Sequence, residues 1–480
     1  METLDKRSFL ILSVYFLVVI IITFLALRNH AYDDPFITYR YADNLRRGLG
    51  FVYNPGERIL STTTPLYALL LAGLSYLWPN LPHLSNFISA VSVALGGLFL
   101  FHLGRRWDAP VAGVVAAALF PFFPLLLSTF GAETCFYIML VLAAFLLYAY
   151  DQPLWAMVPA ALATLTRSDG VLVAGVLGLD VLLRERKFPW RIALLYGALI
   201  APWYLFSWAY FGTPFPVTLA AKKSQALMTI SEGFARGFWT TVLKPYGRRL
   251  LYWLHAAFFL IGVLYAVDKR HRWLSLLGWG LLYFLSYMLL GVSRYFWHYT
   301  SLVPVVIAVI GLGGQWLYTR LPSTGQDRWW SRVLLVVLIA LMLWPQIQGV
   351  RWHSTHVDNR YRIYRAVGEW LTENTPSEAS VGTLEVGIIG YYARRRIIGF
   401  AGLLQPEVAM QMKPNTTYQD TAEWAILQYT PDYLVLNPTW FPRVMENIVT
   451  DHCLVLEEFS TSDYSGILSV YECHWANPRQ

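Results

Sequence analysis

Lys6-Arg7-Ser-Phe-Leu-Ile-Leu-Ser-Val-Tyr-Phe-Leu-Val-Val-Ile-Ile-Ile-Thr-Phe-Leu-Ala-Leu27-Arg28-Asn-His-Ala-Tyr32-Asp33-Asp34-Pro35 is the stretch whose reading decides the fold. The apolar run Phe9–Leu27 is as long as a bilayer-spanning helix and longer than the core of a secretory signal. It is followed by Arg28-Asn29-His30 rather than by a small-residue cleavage site. The run therefore reads as a retained first span, and Lys6-Arg7 place its N-terminus on the cytoplasmic side. Two adjacent carboxylates then stand where the chain leaves the membrane.

The rest of the chain extends this reading. Of 480 residues, 56% are hydrophobic and only 14% charged, with a mean hydropathy of +0.43. Soluble domains carry about 25% charged residues, so much of this surface faces something other than water. Further apolar runs lie near 65–78, 85–103, 109–128, 134–150, 154–166, 170–183, 192–210, 251–267, 273–291, 299–318 and 333–349. If 65–78 crossed the membrane, Arg105-Arg106, the Arg184–Lys187 turn and the Asp268–Arg272 turn would all fall outside. Placing that short, proline-initiated segment at the interface brings all three inside, where short basic loops belong. The expectation is eleven spans, with the C-terminus outside.

Three outer segments result: a first loop over 28–84, a second over 211–250, and everything from 350 to 480. The membrane part is 1–349. From Val350 onward there are 10 Lys/Arg against 15 Asp/Glu, a net of −5, so in a chain of net +7 the membrane part carries +12. Basic residues set between apolar runs suit lipid headgroups and lipid phosphates, and argue against nucleic acid. In the tail, amphipathic helices (361–372, 421–429) alternate with short β-rich runs (380–384, 396–400, 433–436, 454–458, 468–472), which predicts a small α/β domain. The fold class expected is thus a polytopic α-helical membrane protein carrying a C-terminal α/β extracytoplasmic domain. Cys453 and Cys473 flank two of the β-rich runs. They would face each other if the strands pair, as a disulfide in an oxidising compartment or as two free thiols.

Chemistry-bearing residues gather on the outer side. Asp34 before Pro35 opens a helix over 35–47 that groups Phe36, Tyr39 and Arg40. Asp33 and Asp34 suit a general base acting on a sugar hydroxyl, and equally suit loop solvation and a helix cap. Glu133 lies between two apolar spans, where a carboxylate is either functional or an acid favoured by the helix dipole. Lys222, Lys223, Arg294 and Arg167 lie at outer ends of spans. Such cations want an anion, for which a lipid phosphate is the natural candidate, although headgroup contact or an Arg167–Asp169 pair would also serve. The sequence contains no Walker loop, no dinucleotide fingerprint and no Cys/His metal spacing.

These residues resemble a known group. The stretch Asp33–Pro65 (DDPFITYRYADNLRRGLGFVYNPGERILSTTTP) resembles the first loop of the GT-C superfamily of polyprenyl-phosphate-sugar-dependent glycosyltransferases. More narrowly it is similar to that of the mycobacterial-type terminal arabinofuranosyltransferases and their bacterial relatives. Phe211–Lys223 looks like the same family's Gly-x-x-x-Pro…Ala-Lys segment, and Gly387–Leu404 like part of its outer domain. The resemblance implies a GT-C bundle with interfacial helices in the first loop. The implied activity moves a sugar from a polyprenyl-phosphate donor to an acceptor hydroxyl at the outer face of the plasma membrane, on a cell-envelope glycan, glycolipid or glycoprotein. Carried over residue by residue, it makes Asp33 or Asp34 the catalytic Asp and Glu133 the second acid. Lys222, Lys223, Arg294 and Arg167 then contact the donor phosphate, and Tyr39, Arg40, Arg58, Thr64 and His298 line the substrate. A divalent cation is compatible with this mechanism but not required by it. The chain departs from the family at Ser61–Thr64 and at Gly399, where relatives carry Gly-aromatic-Thr-Asn and Asp. A lipid-linked sugar flippase or transporter is the competing class, but it would place ionisable groups deep within broken helices.

Overall fold

The computed structural model describes residues 6–226, 228, 232–268, 272–322 and 327–475. Parts of the Asp268–Arg272 turn and of the second outer loop, and residues 323–326, lie outside the described residues.

Ten of the eleven expected spans coincide with single helices, and the run 109–128 is broken into Pro110–Leu119, Phe120–Phe122 and Pro124–Leu127. Six helices are long and apolar enough to cross a membrane: Lys6–Leu27, Leu81–Arg106, Trp190–Phe211, Leu250–Asp268, Phe296–Arg320 and the helix beginning at Trp329. Shorter apolar helices, including Pro110–Phe122, Thr134–Ala149, Pro153–Thr166 and Leu274–Leu290, pack among them. The first helix keeps only Val19, Thr23 and Leu27 buried. Phe9, Leu10, Ile11, Leu17 and Leu25 point outward, more than half exposed. A helix apolar on its outer face needs lipid as its solvent. This is a multi-pass membrane protein. Without a hydrophobic drive between helices in lipid, close backbone approach takes over. Leu250–Asp268 meets Val303–Arg320 through Gly262 and Gly313, where an added Cβ would lie 1.9 Å from the Val309 carbonyl and 2.1 Å from that of Phe258.

The segment 65–78 is not a long helix. It forms Pro65–Leu74, with Tyr67, Ala68 and Leu71 buried, and packs on the helix Pro35–Arg46, itself buried from Pro35 to Asn44.

The C-terminal sheet has five strands: β1 (Ser380–Thr383), β2 (Arg396–Gly399), β3 (Tyr433–Leu436), β4 (Cys453–Phe459) and β5 (Leu468–Cys473). Their order is β2-β1-β3-β5-β4. The first three are parallel, while β5 and β4 add antiparallel. β1 and β3 are buried throughout, as central strands covered on both faces should be, although only β3 is a continuous apolar run. Cys453 stands opposite Cys473 in the β4–β5 ladder, and the two are joined in a disulfide. The expected change of domain at 349/350 falls inside the helix Asp327–Thr355, which leads directly towards the domain.

The domain is seated on the first loop. Arg40 is buried and donates to the carbonyls of Tyr53, Gly390 and Arg395. Asn54 exchanges two hydrogen bonds of 2.9 Å with the backbone of Ile397, extending the β2 edge by one side-chain amide.

Candidate active site

The helix Pro35–Arg46 begins just after the first span ends. Pro35 takes the first helical position, and Asp34 stands at the N-cap without capping through its side chain. Asp34 is therefore not spent on its own helix. Its side chain is 39% exposed and its nearest charged partner is Lys222, Nζ to Oδ2 3.8 Å.

Asp33 has a different environment. It is buried, and its two oxygens accept from the backbone amides of Gly387 (2.9 Å) and Ile388 (2.8 Å). Only glycine fits at 387, because a Cβ there would lie 2.0 Å from the Asp33 carbonyl oxygen. Burial pushes the Asp33 carboxyl above the usual carboxylate range, against the two amides that favour its charge. Glu385, ion-paired to Arg360 at 3.2 Å, is raised likewise by burial and by the charge of Asp33.

Asp34 opens onto a cavity of about 340 Å³, lined also by Thr38, Ser61–Thr64, Glu133, Arg167, Asp169, Thr218, Lys222, Tyr287, Trp297 and His298. Segments from both outer loops, from the turns at 132–133 and 167–169, and from Leu403 of the outer domain converge here. Arg167 is fully engaged within it. It donates to Glu133 at 3.1 Å, to Asp169 at 2.9 Å and to the Tyr287 hydroxyl at 3.1 Å. Tyr287 in turn donates to Asp169 at 2.5 Å. A guanidinium held between two carboxylates orients them and has no unpaired charge left for an anion.

Lys222 is the opposite case. It lies on the helix Val217–Gln225 and its ammonium stands 5.3 Å from the ring centroids of both Tyr295 and Trp297, which stack on each other at 4.4 Å. Its ion pair with Asp34 is longer than the 2.7–2.9 Å of a charge-assisted hydrogen bond. Among the described lining residues it is the cation that an entering phosphate can recruit.

Most of the other expected site residues fall elsewhere. Asp33 does not line the cavity; it anchors the outer domain. Tyr39 is buried and donates to the Gly131 carbonyl. Arg40 holds the outer domain as described above. Arg58 lies 4.7 Å over the Tyr210 ring, away from the cavity. Lys223, next to Lys222 on a helix, points to the exposed side. Arg294 is paired with Glu232 at 2.8 Å. Thr64 and His298 do line the cavity, and both ring nitrogens of buried His298 lack a hydrogen-bond partner among the described residues. Sequence reasoning missed Tyr287, Thr218 and Trp297 as cavity residues. Of these only Thr218 had a signal, its i,i+4 spacing from Lys222. Among the described residues no cluster of three or more His, Cys, Asp or Glu side chains is arranged to hold a metal ion.

Two solved proteins share this architecture over nearly the whole chain. The oligosaccharyltransferase AglB from Archaeoglobus fulgidus, in complex with an inhibitory peptide and a dolichol-phosphate, superposes with a TM-score of 0.62 at 13% identity, covering 96% of this chain and 74% of its own. ArnT from Cupriavidus metallidurans, bound to undecaprenyl phosphate, gives 0.62 at 13% identity, covering 96% and 97%. The fold is the GT-C fold. The GT-C likeness is one of architecture, since ArnT in its apo state is matched at 0.64 with only 12% identity. Residues 350–475 match a family described as "Domain of unknown function (DUF8728)". No protein of curated function matches the sequence.

Proposed function

We propose that this chain is a membrane glycosyltransferase that moves a sugar from a polyprenyl-phosphate donor to an acceptor hydroxyl on the outer face of the membrane. The observation that carries this reading is the loose Asp34–Lys222 pair, 3.8 Å across a cavity that also holds Glu133 and Arg167. A donor phosphate entering from the bilayer takes Lys222 away from Asp34. The freed carboxylate accepts the proton of the acceptor hydroxyl, whose oxygen attacks the anomeric carbon. The bond from that carbon to the phosphate oxygen breaks, and polyprenyl phosphate leaves with its charge met by Lys222. Glu133, Arg167, Asp169 and Tyr287 form the fixed wall against which this happens.

The GT-C architecture supports the reading, as do the dolichol-phosphate on AglB and the undecaprenyl phosphate on ArnT. The disulfide supports placing the domain from Val350 onward in the oxidising space outside the plasma membrane, with eleven spans and a cytoplasmic N-terminus. Within the fold, the Asp33–Pro65 loop favours the arabinofuranosyltransferase-like branch, acting on a cell-envelope glycan, glycolipid or glycoprotein.

The test uses the full chain in lipid nanodiscs. Undecaprenyl phosphate should bind the wild type and bind Lys222→Ala at least 10-fold more weakly, as loss of a charged hydrogen bond implies. Farnesyl-phosphoryl arabinofuranose or mannose, supplied with a short glycan acceptor, should give transfer that Asp34→Asn abolishes. A wild type that binds no polyprenyl phosphate would end this reading.

A further inference from the structure

From Gly233 to Val267 the sequence holds Arg236, Lys244, Arg248 and Arg249 and no acid. Two general rules disfavour these cations where they stand. Under the topology proposed above they lie outside, against the preference of Lys and Arg for the inner side. Arg248 and Arg249 also immediately precede the helix Leu250–Asp268, whose N-terminal dipole repels positive charge. Nor do neighbouring acids explain them. Lys244, Arg248 and Arg249 are exposed and have no ion-pair partner among the described residues. Arg236 stands 3.9 Å from Glu232, which Arg294 already holds at 2.8 Å.

The segment carrying them has two unlike faces. Phe234–Gly247 is helical throughout, with a π turn over Trp239–Leu243. Its inner face is fixed to the bundle. The Phe234 ring lies 4.7 Å from that of Tyr299 and 5.4 Å from that of Tyr287, and Tyr246 stacks on Phe123 at 5.6 Å. The outer face presents Trp239 and Leu243, 60% and 45% exposed, among the cations. The helix that follows turns Leu250, Trp253, Leu260 and Leu264 outward in one stripe, as a lipid-facing span does. Trp253, in its first turn, donates to the Gly247 carbonyl at 3.0 Å, and such an indole marks the membrane boundary. The cations therefore stand at the level of the headgroups, beside side chains that reach towards the acyl chains.

Cations and large apolar residues on one exposed helical face are what an interfacial segment offers to an anionic membrane surface. We propose that Arg236, Lys244, Arg248 and Arg249 form a docking surface for anionic phospholipid headgroups, with Trp239 and Trp253 set among the lipid chains. The headgroup is a phosphodiester bearing an uncharged alcohol, as in phosphatidylglycerol. A zwitterion would bring an ammonium to a surface that has cations and no free acid. None of these residues lines the cavity, so the surface is separate from the donor site and does not rest on the reaction proposed above.

The experiment places the full chain in phosphatidylcholine nanodiscs doped with photoreactive phosphatidylglycerol or photoreactive phosphatidylcholine, and maps the labelled peptides after irradiation. At low salt, phosphatidylglycerol should label residues 234–253 about 10-fold more than phosphatidylcholine. At about 0.5 M salt that preference should shrink several-fold, because the cations are exposed. Residues 14–25 of the first helix face lipid without a basic cluster and should take both labels alike. The triple variant Lys244→Gln/Arg248→Gln/Arg249→Gln should lose the preference at 234–253 and keep wild-type labelling at 14–25, which shows the bundle is intact. If labelling at 14–25 changes as well, Lys244→Gln alone decides, and should lose about 2-fold of the preference. Equal labelling by the two lipids in the wild type, or a preference that the intact variant retains, overturns the proposal. Displacement of the label by farnesyl phosphate but not by the same amount of unlabelled phosphatidylglycerol also overturns it, assigning the surface to a phosphate monoester.

Discussion

Asp33 accepts hydrogen bonds from the amides of Gly387 and Ile388, at 2.9 and 2.8 Å, and so ties the end of the first span to a domain more than 350 residues away. Its neighbour Asp34 makes no such tie and faces the cavity with Lys222. Two carboxylates adjacent in the chain thus have separate tasks, one holding the outer domain in place and one available for chemistry.

Substitution should separate these tasks. Asp34→Asn keeps shape and loses the base, so kcat should fall by about 10²–10⁴-fold with little change in melting temperature. Asp33→Asn cannot accept from both amides, because its Nδ2 is a donor. It should destabilise the protein by about 1–3 kcal/mol, the cost of leaving a buried donor unmade. Thermal melting and single-turnover transfer on both variants decide the matter. Asp33→Asn that melts like the wild type but transfers nothing would reverse the two roles.

The same anchor makes stability depend on pH. Burial holds the carboxyls of Asp33 and Glu385 above their usual range, so over that interval the folded state binds more protons than the unfolded one. Stability therefore falls as pH rises from about 4 towards neutrality and through the raised values. Glu385→Gln removes the titrating group that burial and the charge of Asp33 raise. Its melting temperature should fall less steeply between those limits than that of the wild type. Parallel melting curves across the interval would show that the pair does not titrate there.

Arg167 should behave as an organiser of acids. Taking it away leaves Glu133 and Asp169 facing each other unpaired, and breaking a buried pair from one side costs about 3–5 kcal/mol. Arg167→Met should accordingly melt much lower and transfer poorly, while the folded fraction keeps an affinity for undecaprenyl phosphate within a few-fold of the wild type. Lys222→Ala should show the converse, with a near-normal melt and weak phosphate binding. Loss of phosphate affinity in Arg167→Met comparable to that in Lys222→Ala would return Arg167 to the anion site.

His298 offers a stability–function contrast. Its two ring nitrogens are buried beside the cavity and unpartnered among the described residues, an arrangement that costs about 1–3 kcal/mol in the free protein. His298→Phe preserves the ring contact with Tyr287, now 4.8 Å between centroids, and removes the unsatisfied atoms. The variant should melt at the same temperature or higher, yet lose transfer activity. A variant less stable and fully active would mean that His298 is satisfied by the protein and takes no part in substrate binding.

What could be read in the sequence follows from the range of each interaction. Helix positions depend on local hydropathy, and each of the twelve apolar runs is helical over most of its length, with a break in 109–128. The five β-rich runs match strands to within a residue or so at their ends, because alternation and turn residues are local as well. The candidate site depended on which charges meet, which is a long-range property. Arg40 lies on the helix that Asp34 opens, but its partners include the carbonyls of Gly390 and Arg395. Arg294 lies at the outer end of an expected span, as a phosphate contact would, and is paired instead with Glu232. Lys222 and Lys223 could not be told apart without knowing which face of their short helix is covered. Where a partner was near in sequence, as for Arg167 and Asp169, the pair was legible.

The disulfide provides the test of topology. Cys453 and Cys473 close a loop of 20 residues at the sheet edge, for which the chain-entropy model gives about 3 kcal/mol of stabilisation. If the outer domain lies outside the cytoplasm, the bond should be present in protein taken directly from cells. After mild reduction of intact cells, both thiols should react with a membrane-impermeant maleimide. Cys135 is buried and should stay silent. A cysteine placed in the exposed basic turn, Arg186→Cys, should be protected in intact cells and react once the membrane is opened. Labelling at 186 in intact cells, with 453 and 473 protected, would invert the topology and put the cavity on the cytoplasmic side, where a donor facing the outer leaflet could not reach Lys222.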